Sequence, residues 1–457
     1  MPETIPSKKA ALPIKELPLK VFFLLIIACG LLIVLVGSKA GYGAAAAAIL
    51  VIPSIVISIY FPTVLLSSSV LGGTNFYRVF MSLGGLESGY VLYSLLGFSA
   101  LIGGAIILIK RKSFTFRLNT PNILLILILA IALLGLLHSK NISYGILKTG
   151  TFFVGSFIPY FAIQTLGGDL TRIKKLFIIG LILMTVPFLF SSGTLLLGGI
   201  PKWERFTTAG AGPISFSRGF ALAVLLSFLL IEIAIKTWQK VLLILFALMN
   251  AAIMVIVATR GPVIALALAL LIYIIFLSKL DLWKRVLISV FLALFTVAVA
   301  TKVSTFLLLR MTSLKGAEMS AMGRVMLWKA SLEHLLDAPF IGLGTGSFSS
   351  ILSSYGKSTG LVYPHNIWLE YYLEWGIIGI ILVLSFIVSL GIRSVRMLRS
   401  SLISQEHNKL LRIAITLVLF SLANAQVSGS LAGNRFLYIS TGLLLTLTYK
   451  TPESRKK

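Results

Sequence analysis

Gly323-Arg324-Val325-Met326-Leu327-Trp328, Tyr363-Pro364-His365-Asn366 and Glu374-Trp375-Gly376 mark out about fifty residues with no apolar run long enough to cross a membrane. On both sides of this stretch the chain is almost continuously hydrophobic. Of its 457 residues 58% are hydrophobic and only 12% are charged, about half the charged share of a soluble protein. Working outward, apolar segments fall at 20–37, 43–60, 88–109, 121–138, 144–165, 173–192, 214–235, 241–258, 261–278, 286–303, 376–392, 409–425 and 436–449. Windows of this length span roughly 30 Å of hydrocarbon as helix, where every backbone polar group must be satisfied internally. No alternating ten-residue pattern suggests a β-barrel. The fold class is therefore an all-α polytopic membrane protein of about 12–14 transmembrane helices with one large extracytoplasmic loop. We read residues 1–457 as a single integral-membrane domain, with 304–375 as a catalytic loop inside it.

The stretch 61–83 is a weaker segment, broken by Pro62, Gly72, Gly73, Asn75 and Arg78. It reads as a poor span, a re-entrant piece or an interfacial helix. The N-terminal lysines followed by a long apolar run read as a retained first helix rather than a cleaved signal. Cys29 is the one cysteine, so no intramolecular disulfide or cysteine metal site forms.

The net charge of +26 is distributed between spans. Nucleic acid is excluded as a partner by that dispersal; the excess marks cytoplasmic loops and snorkelling helix ends. Lys110-Arg111-Lys112 with Arg117, the group Arg172, Lys174 and Lys175, Lys236 with Lys240, the group Lys279, Lys284 and Arg285, the group Arg393, Arg396 and Arg399, and the tail Arg455-Lys456-Lys457 occupy alternate loops. Placed together in the cytoplasm, they put 139–143, 193–213, 259–261, 304–375 and 426–435 outside.

Within the outer stretch, Met322–Leu336 reads as an amphipathic helix with Leu327, Leu332, Leu335 and Leu336 on its apolar face. Gly342, Gly344 and Gly346 follow; with GxGxG spacing and no βαβ unit they read as close backbone packing, not a dinucleotide fingerprint. Pro364 suits the first turn of a new helix, with His365 and Asn366 at its mouth and Glu370 and Glu374 one turn apart on the Asn366 face. Histidine titrates near neutrality and suits general-base work; a helix N-terminus favours its neutral form. Arg205, Arg218, Arg260, Arg310, Arg324 and Arg435 fall on the outer side. Arg260 sits in a near-zero-length loop between two apolar helices, where a charge is costly unless it faces a polar cavity. Arginine is a natural clamp for diphosphate because it is always charged and donates two parallel hydrogen bonds. Outer acids are few and no DxD or HExxH pattern occurs, so neither metal nor cofactor is expected.

Taken in order, four motifs resemble those of the O-antigen ligase/polymerase superfamily of bacterial envelope glycan enzymes. They are Gly323-Arg324 through Trp328, Ala338-Pro339 through Gly342, Gly344, Gly346 and Phe348, Tyr363-Pro364-His365-Asn366 through Glu370, and Leu373-Glu374-Trp375-Gly376 through Gly379. The resemblance implies a GT-C-like, metal-independent, inverting glycosyltransferase. Its donor would be a glycan on undecaprenyl diphosphate. Its acceptor would be lipid A-core for a ligase, or a second lipid-linked glycan for a polymerase. The site would lie on the outer face of the cytoplasmic membrane, in contact with membrane lipid. Carried over by motif, His365 is the base and Arg324 and Arg260 hold the diphosphate; Arg205, Arg218, Asn366, Glu370 and Trp328 serve substrate binding. Ligase is the leading reading and polymerase its alternative. A lipid-linked glycan transporter is the alternative of another class, and the absence of repeat symmetry counts against it.

Overall fold

The computed structural model describes residues 61–72, 89–111, 118–198, 213–257, 259–279, 281–287, 289–290, 318–354 and 363–449, all within a unit running from Ile57 to Lys457. The apolar segments 20–37 and 43–60, nearly all of 286–303, and Arg205 and Arg310 lie outside these residues. Among the described residues there is helix and no strand. The elements are α1 (Pro62–Ser67, continued by a π turn Ser68–Gly72), α2 (Gly89–Arg111), α3 (Thr120–Leu134), α4 (Ile142–Gln164), α5 (Leu170–Gly198), α6 (Pro213–Ile231), α7 (Thr237–Val257), α8 (Arg260–Leu277), α9 (Glu318–Glu333), α10 (Phe348–Ser354), α11 (Ile367–Leu398), α12 (Gln405–Val427) and α13 (Arg435–Leu447). Six of them, α4, α6, α7, α8, α11 and α12, contain stretches long and apolar enough to cross a membrane, so the chain is an all-α polytopic membrane protein.

Hydropathy placed the spans well because in hydrocarbon an apolar run has no alternative to helix. Element ends follow local chemistry: Asn119, Asn141, Asn366 and Ser404 each cap a helix N-terminus with a side-chain oxygen. Residues 65–71 of the stretch 61–83 are buried in the bundle, not laid on its surface. Leu66 and Val70 are fully buried, Ser67 Oγ donates to the Leu176 carbonyl at 2.8 Å, and Ser69 Oγ donates to that of Leu96 at 2.5 Å. The interfacial-helix reading of this stretch therefore does not hold over residues 65–71. Buried hydroxyls satisfied by carbonyls hold α1 against α2 and α5.

The two ends of the bundle are chemically distinct. At one end the basic loops meet. Lys174 pairs with Glu406 at 3.2 Å and Arg412 pairs with Glu232 at 3.1 Å. Lys409 donates to the Glu232 carbonyl, Arg412 to that of Leu277, and a His407 ring nitrogen bonds the Leu447 carbonyl. Asn119 donates to Tyr449, whose hydroxyl donates to Gln164. At the other end lie the α3–α4 turn, the start of α8, the loop before α11 and the 428–434 loop. Several of the Lys/Arg-bearing segments thus meet at one end of the bundle.

Candidate active site

The site is built on a broken helix. Gly376 takes φ 62°, ψ −158° inside α11, a conformation open to glycine and not to residues with a Cβ. The break frees backbone groups, and the glycine-rich loop takes them up. Leu343 N–H donates to the Leu373 carbonyl at 2.7 Å and Gly344 N–H to the Glu374 carbonyl at 3.0 Å. In return Ile377 N–H donates to the Pro339 carbonyl at 2.8 Å. Thr345 N–H continues the mating to the Gly135 carbonyl at 3.0 Å, and Trp375 Nε1 donates to Thr345 Oγ1 at 2.9 Å. Gly342, Gly344 and Gly346 all have positive φ. The spacing is one of close backbone packing, as its sequence context indicated.

Two details of the outer stretch are corrected. The helix over 322–336 is α9, Glu318–Glu333, and it buries Leu327, Ala330 and Ser331, the i, i+3, i+4 stripe that faces α10 and α11. Leu332 and Leu336 point outward, at 57% and 84% exposure. Pro364 is not in the first turn of α11. Asn366 is the cap, accepting from Trp368 N–H and Leu369 N–H at 3.0 and 3.2 Å, and His365 before it lies at φ 58°, which keeps the helix from starting sooner.

That positive φ is uncommon for a residue with a Cβ and is held by its surroundings. Trp328 Nε1 donates to the Pro364 carbonyl at 3.0 Å. The Tyr363 ring lies 4.4 Å from the imidazole, centroid to centroid. Asn366 Nδ2 reaches the Gln426 carbonyl at 3.2 Å. Trp328 and Asn366 therefore contact the backbone around His365 and set its position. The imidazole is buried, and its Nδ1 has no hydrogen-bond partner in the protein. A buried polar atom without a partner is rare and marks a place for a ligand group or water. Burial first, then the guanidinium charges of Arg324 and Arg218, push the ring's pKa down to about 4, so it is neutral and a proton acceptor at pH 7.

Arg218 on α6 is buried, with Nη2 donating to the Ser428 carbonyl at 2.5 Å and Nη1 to that of Gly433 at 3.4 Å. Its Nε has no partner. Arg324, half-buried on α9, has its pKa lowered by burial. Burial likewise raises the Tyr363 hydroxyl and keeps it a phenol. Arg260 opens α8 and is exposed; Gly261 beside it packs near Val427, which puts Arg260 at the same end of the bundle. Arg435 points into the core, where it donates to the Ser69 carbonyl.

Glu370 is fully buried and forms an ion pair with Lys148; Glu374 joins the same ammonium at 2.6 Å. The second Glu370 oxygen accepts Leu431 N–H at 2.9 Å. Sequence reasoning put the two glutamates on one face but missed Lys148. The available signal was a lysine inside the apolar segment 144–165, where a charge requires a partner. Among the described residues no three His, Cys, Asp or Glu side chains come together as a metal site.

One pH prediction follows from the His365 environment. The lowered pKa leaves the ring deprotonated through the neutral range, so the activity of a site that uses His365 as its base should be level from about pH 8 to about pH 5. It should fall only as the ring protonates on approach to about 4. A fall centred on 6.5, the ordinary histidine value, would show that the ring is not buried beside cations in the working enzyme.

Comparison with known proteins gives one finding. The family described as O-antigen ligase matches residues 245–384, a segment that contains Arg260, Arg324, Trp328, His365, Asn366 and Glu370 and ends within α11. No curated protein matches the chain.

Proposed function

We propose that this chain, whose residues 245–384 match the O-antigen ligase family, is a metal-independent, inverting glycosyltransferase of the cytoplasmic membrane, with its site on the outer face. In this reading it moves a glycan from undecaprenyl diphosphate to a hydroxyl of lipid A-core, as an O-antigen ligase. The observation that carries the reading is His365: a buried, neutral imidazole with a free Nδ1, fixed at a positive φ and flanked by the charges of Arg218 and Arg324.

The acceptor hydroxyl attacks the anomeric carbon from the face opposite the diphosphate. The new C–O bond forms as the bond to the diphosphate oxygen breaks, and the hydroxyl proton passes to His365. A weakly basic imidazole suits this step, since the hydroxyl becomes acidic only as the new bond forms. Negative charge grows on the departing diphosphate, and Arg324, Arg218 and Arg260 are the groups proposed to stabilise it. Arg218 has a free Nε for that purpose while its Nη groups are fixed to carbonyls. Two lipid-anchored substrates at one interface gain proximity without a soluble carrier.

The reading is tested with purified protein in detergent, a lipid-linked glycan donor and lipid A-core. A new glycosidic bond should form and should survive EDTA. Loss of transfer restored by Mg²⁺ would overturn metal independence, and no bond at all would favour a carrier. Mass spectrometry of envelope glycolipids from cells lacking the protein separates the two enzyme readings. Bare lipid A-core indicates the ligase; single repeat units in place of long chains indicate the polymerase.

A further inference from the structure

The 426–434 segment touches both halves of the site. It is tied to α11 at two points, where Asn366 Nδ2 donates to the Gln426 carbonyl and Leu431 N–H donates to Glu370 Oε2. It is tied to α6 at two more, through the carbonyls of Ser428 and Gly433 that accept from Arg218. His365 immediately precedes the cap of α11. The spacing between the imidazole and the Arg218 guanidinium is therefore set through this segment. Glu370 is its anchor in the α11 body, and the position of the Glu370 carboxylate is fixed in turn by Lys148.

We propose that Glu370 is a positioning residue, not a substrate contact: held by Lys148, it fixes the 426–434 loop through Leu431 N–H and so aims Arg218 at the donor diphosphate. The assignment rests on the reading of Arg218 as part of the diphosphate clamp. Its chemistry is specific. Glu370 uses both oxygens, one in the ion pair with the Lys148 ammonium and one accepting an N–H. Glutamine has one acceptor oxygen and one amide nitrogen that only donates, so Glu370→Gln must give up one of the two contacts. Glu374 turns both oxygens to Lys148, at 2.6 and 2.7 Å, and a glutamine there still accepts from it with one. Each substitution removes one negative charge from the same buried cluster and leaves one lysine facing one carboxylate, so the two variants are matched in charge.

The two variants are compared by amide exchange of the 426–434 segment in the full-length protein, and by transfer kinetics. Glu370→Gln should speed exchange in that segment roughly tenfold or more, the scale of one lost charge-assisted hydrogen bond, and lower kcat/KM by a similar factor. Glu374→Gln should change either by no more than about twofold. Equal effects of the two variants, or unchanged exchange in Glu370→Gln, would overturn the proposal. A cycle with Arg218→Ala supplies the readout that a merely structural role would not produce: with Arg218 gone, Glu370→Gln should cost no further activity. Multiplicative losses would overturn the route through Arg218. If Arg218→Ala alone transfers normally, the clamp reading fails, and the route to Arg218 with it; the exchange comparison still decides whether Glu370 fixes the loop.

Discussion

His365→Ala should lower glycan transfer by roughly 10²–10⁴-fold while the protein inserts and purifies at normal levels. The size follows from removal of a group that is buried, neutral and, in the reading given above, positioned to take the acceptor's proton. Backbone strain complicates a simple deletion, because this position holds φ 58° and a residue change there acts on the loop as well as on the chemistry. His365→Asn separates the two. Asparagine tolerates the left-handed region better than most residues, so it preserves the loop but is no base, and it should lose as much activity as alanine. Full activity in either variant, measured with purified lipid-linked donor, would sink the base assignment. Activity lost in alanine and kept in asparagine would mean that the position supplies backbone shape alone.

Gly342→Ala should produce the largest structural effect. A Cβ at this position would lie 2.3 Å from the backbone of Glu374 and Trp375, and the residue holds φ +73°. Neither the strand of loop nor the broken helix can give way without parting. Separation would leave the carbonyls of Leu373 and Glu374 and the amide of Ile377 without partners, at a cost of roughly 1–3 kcal/mol each. The expected result is a sharp drop in folded protein after extraction and a lower midpoint in thermal unfolding. Gly391→Ala, on the same helix with nothing within 4 Å of the added Cβ, is the control and should be neutral. An unchanged midpoint for Gly342→Ala would disprove the mating between loop and helix.

The spans were legible because hydropathy and the membrane leave little choice of conformation, and α2 through α8 and α11 through α13 fall close to their apolar segments. The break in α11 was partly legible too: the apolar segment began at 376, the residue where the helix is interrupted. His365 and the arginines could be singled out by residue type and context. What could not be read were pairings between distant segments. Lys148 meets Glu374 across 226 positions, and Arg435, grouped by sequence with the outer arginines, is engaged with Ser69 across 366. The face of α9 was misjudged because leucine content was taken as the guide to burial, whereas a short stripe of Leu327, Ala330 and Ser331 decides it. Small residues allow close approach, and hydropathy undervalues them.

The interruption at Gly376 also sets a height. From it the apolar part of α11 runs to Ile392, about 24 Å at 1.5 Å per residue, a little less than the hydrocarbon thickness of about 30 Å. With the proposed topology and Ile392 at the inner edge, Gly376 and the neighbouring Lys148 cluster would lie just inside the outer hydrocarbon edge. The half-helix above them, residues 367–375, adds about 13 Å and in that topology would raise His365 to the level of lipid phosphates. In the proposed reaction a base at that elevation would meet the first sugar on a membrane-anchored diphosphate, and everything further along the glycan would project past it into solution. On the proposed function, such an enzyme would work at the anchored end of its donor and be indifferent to how long the rest has grown.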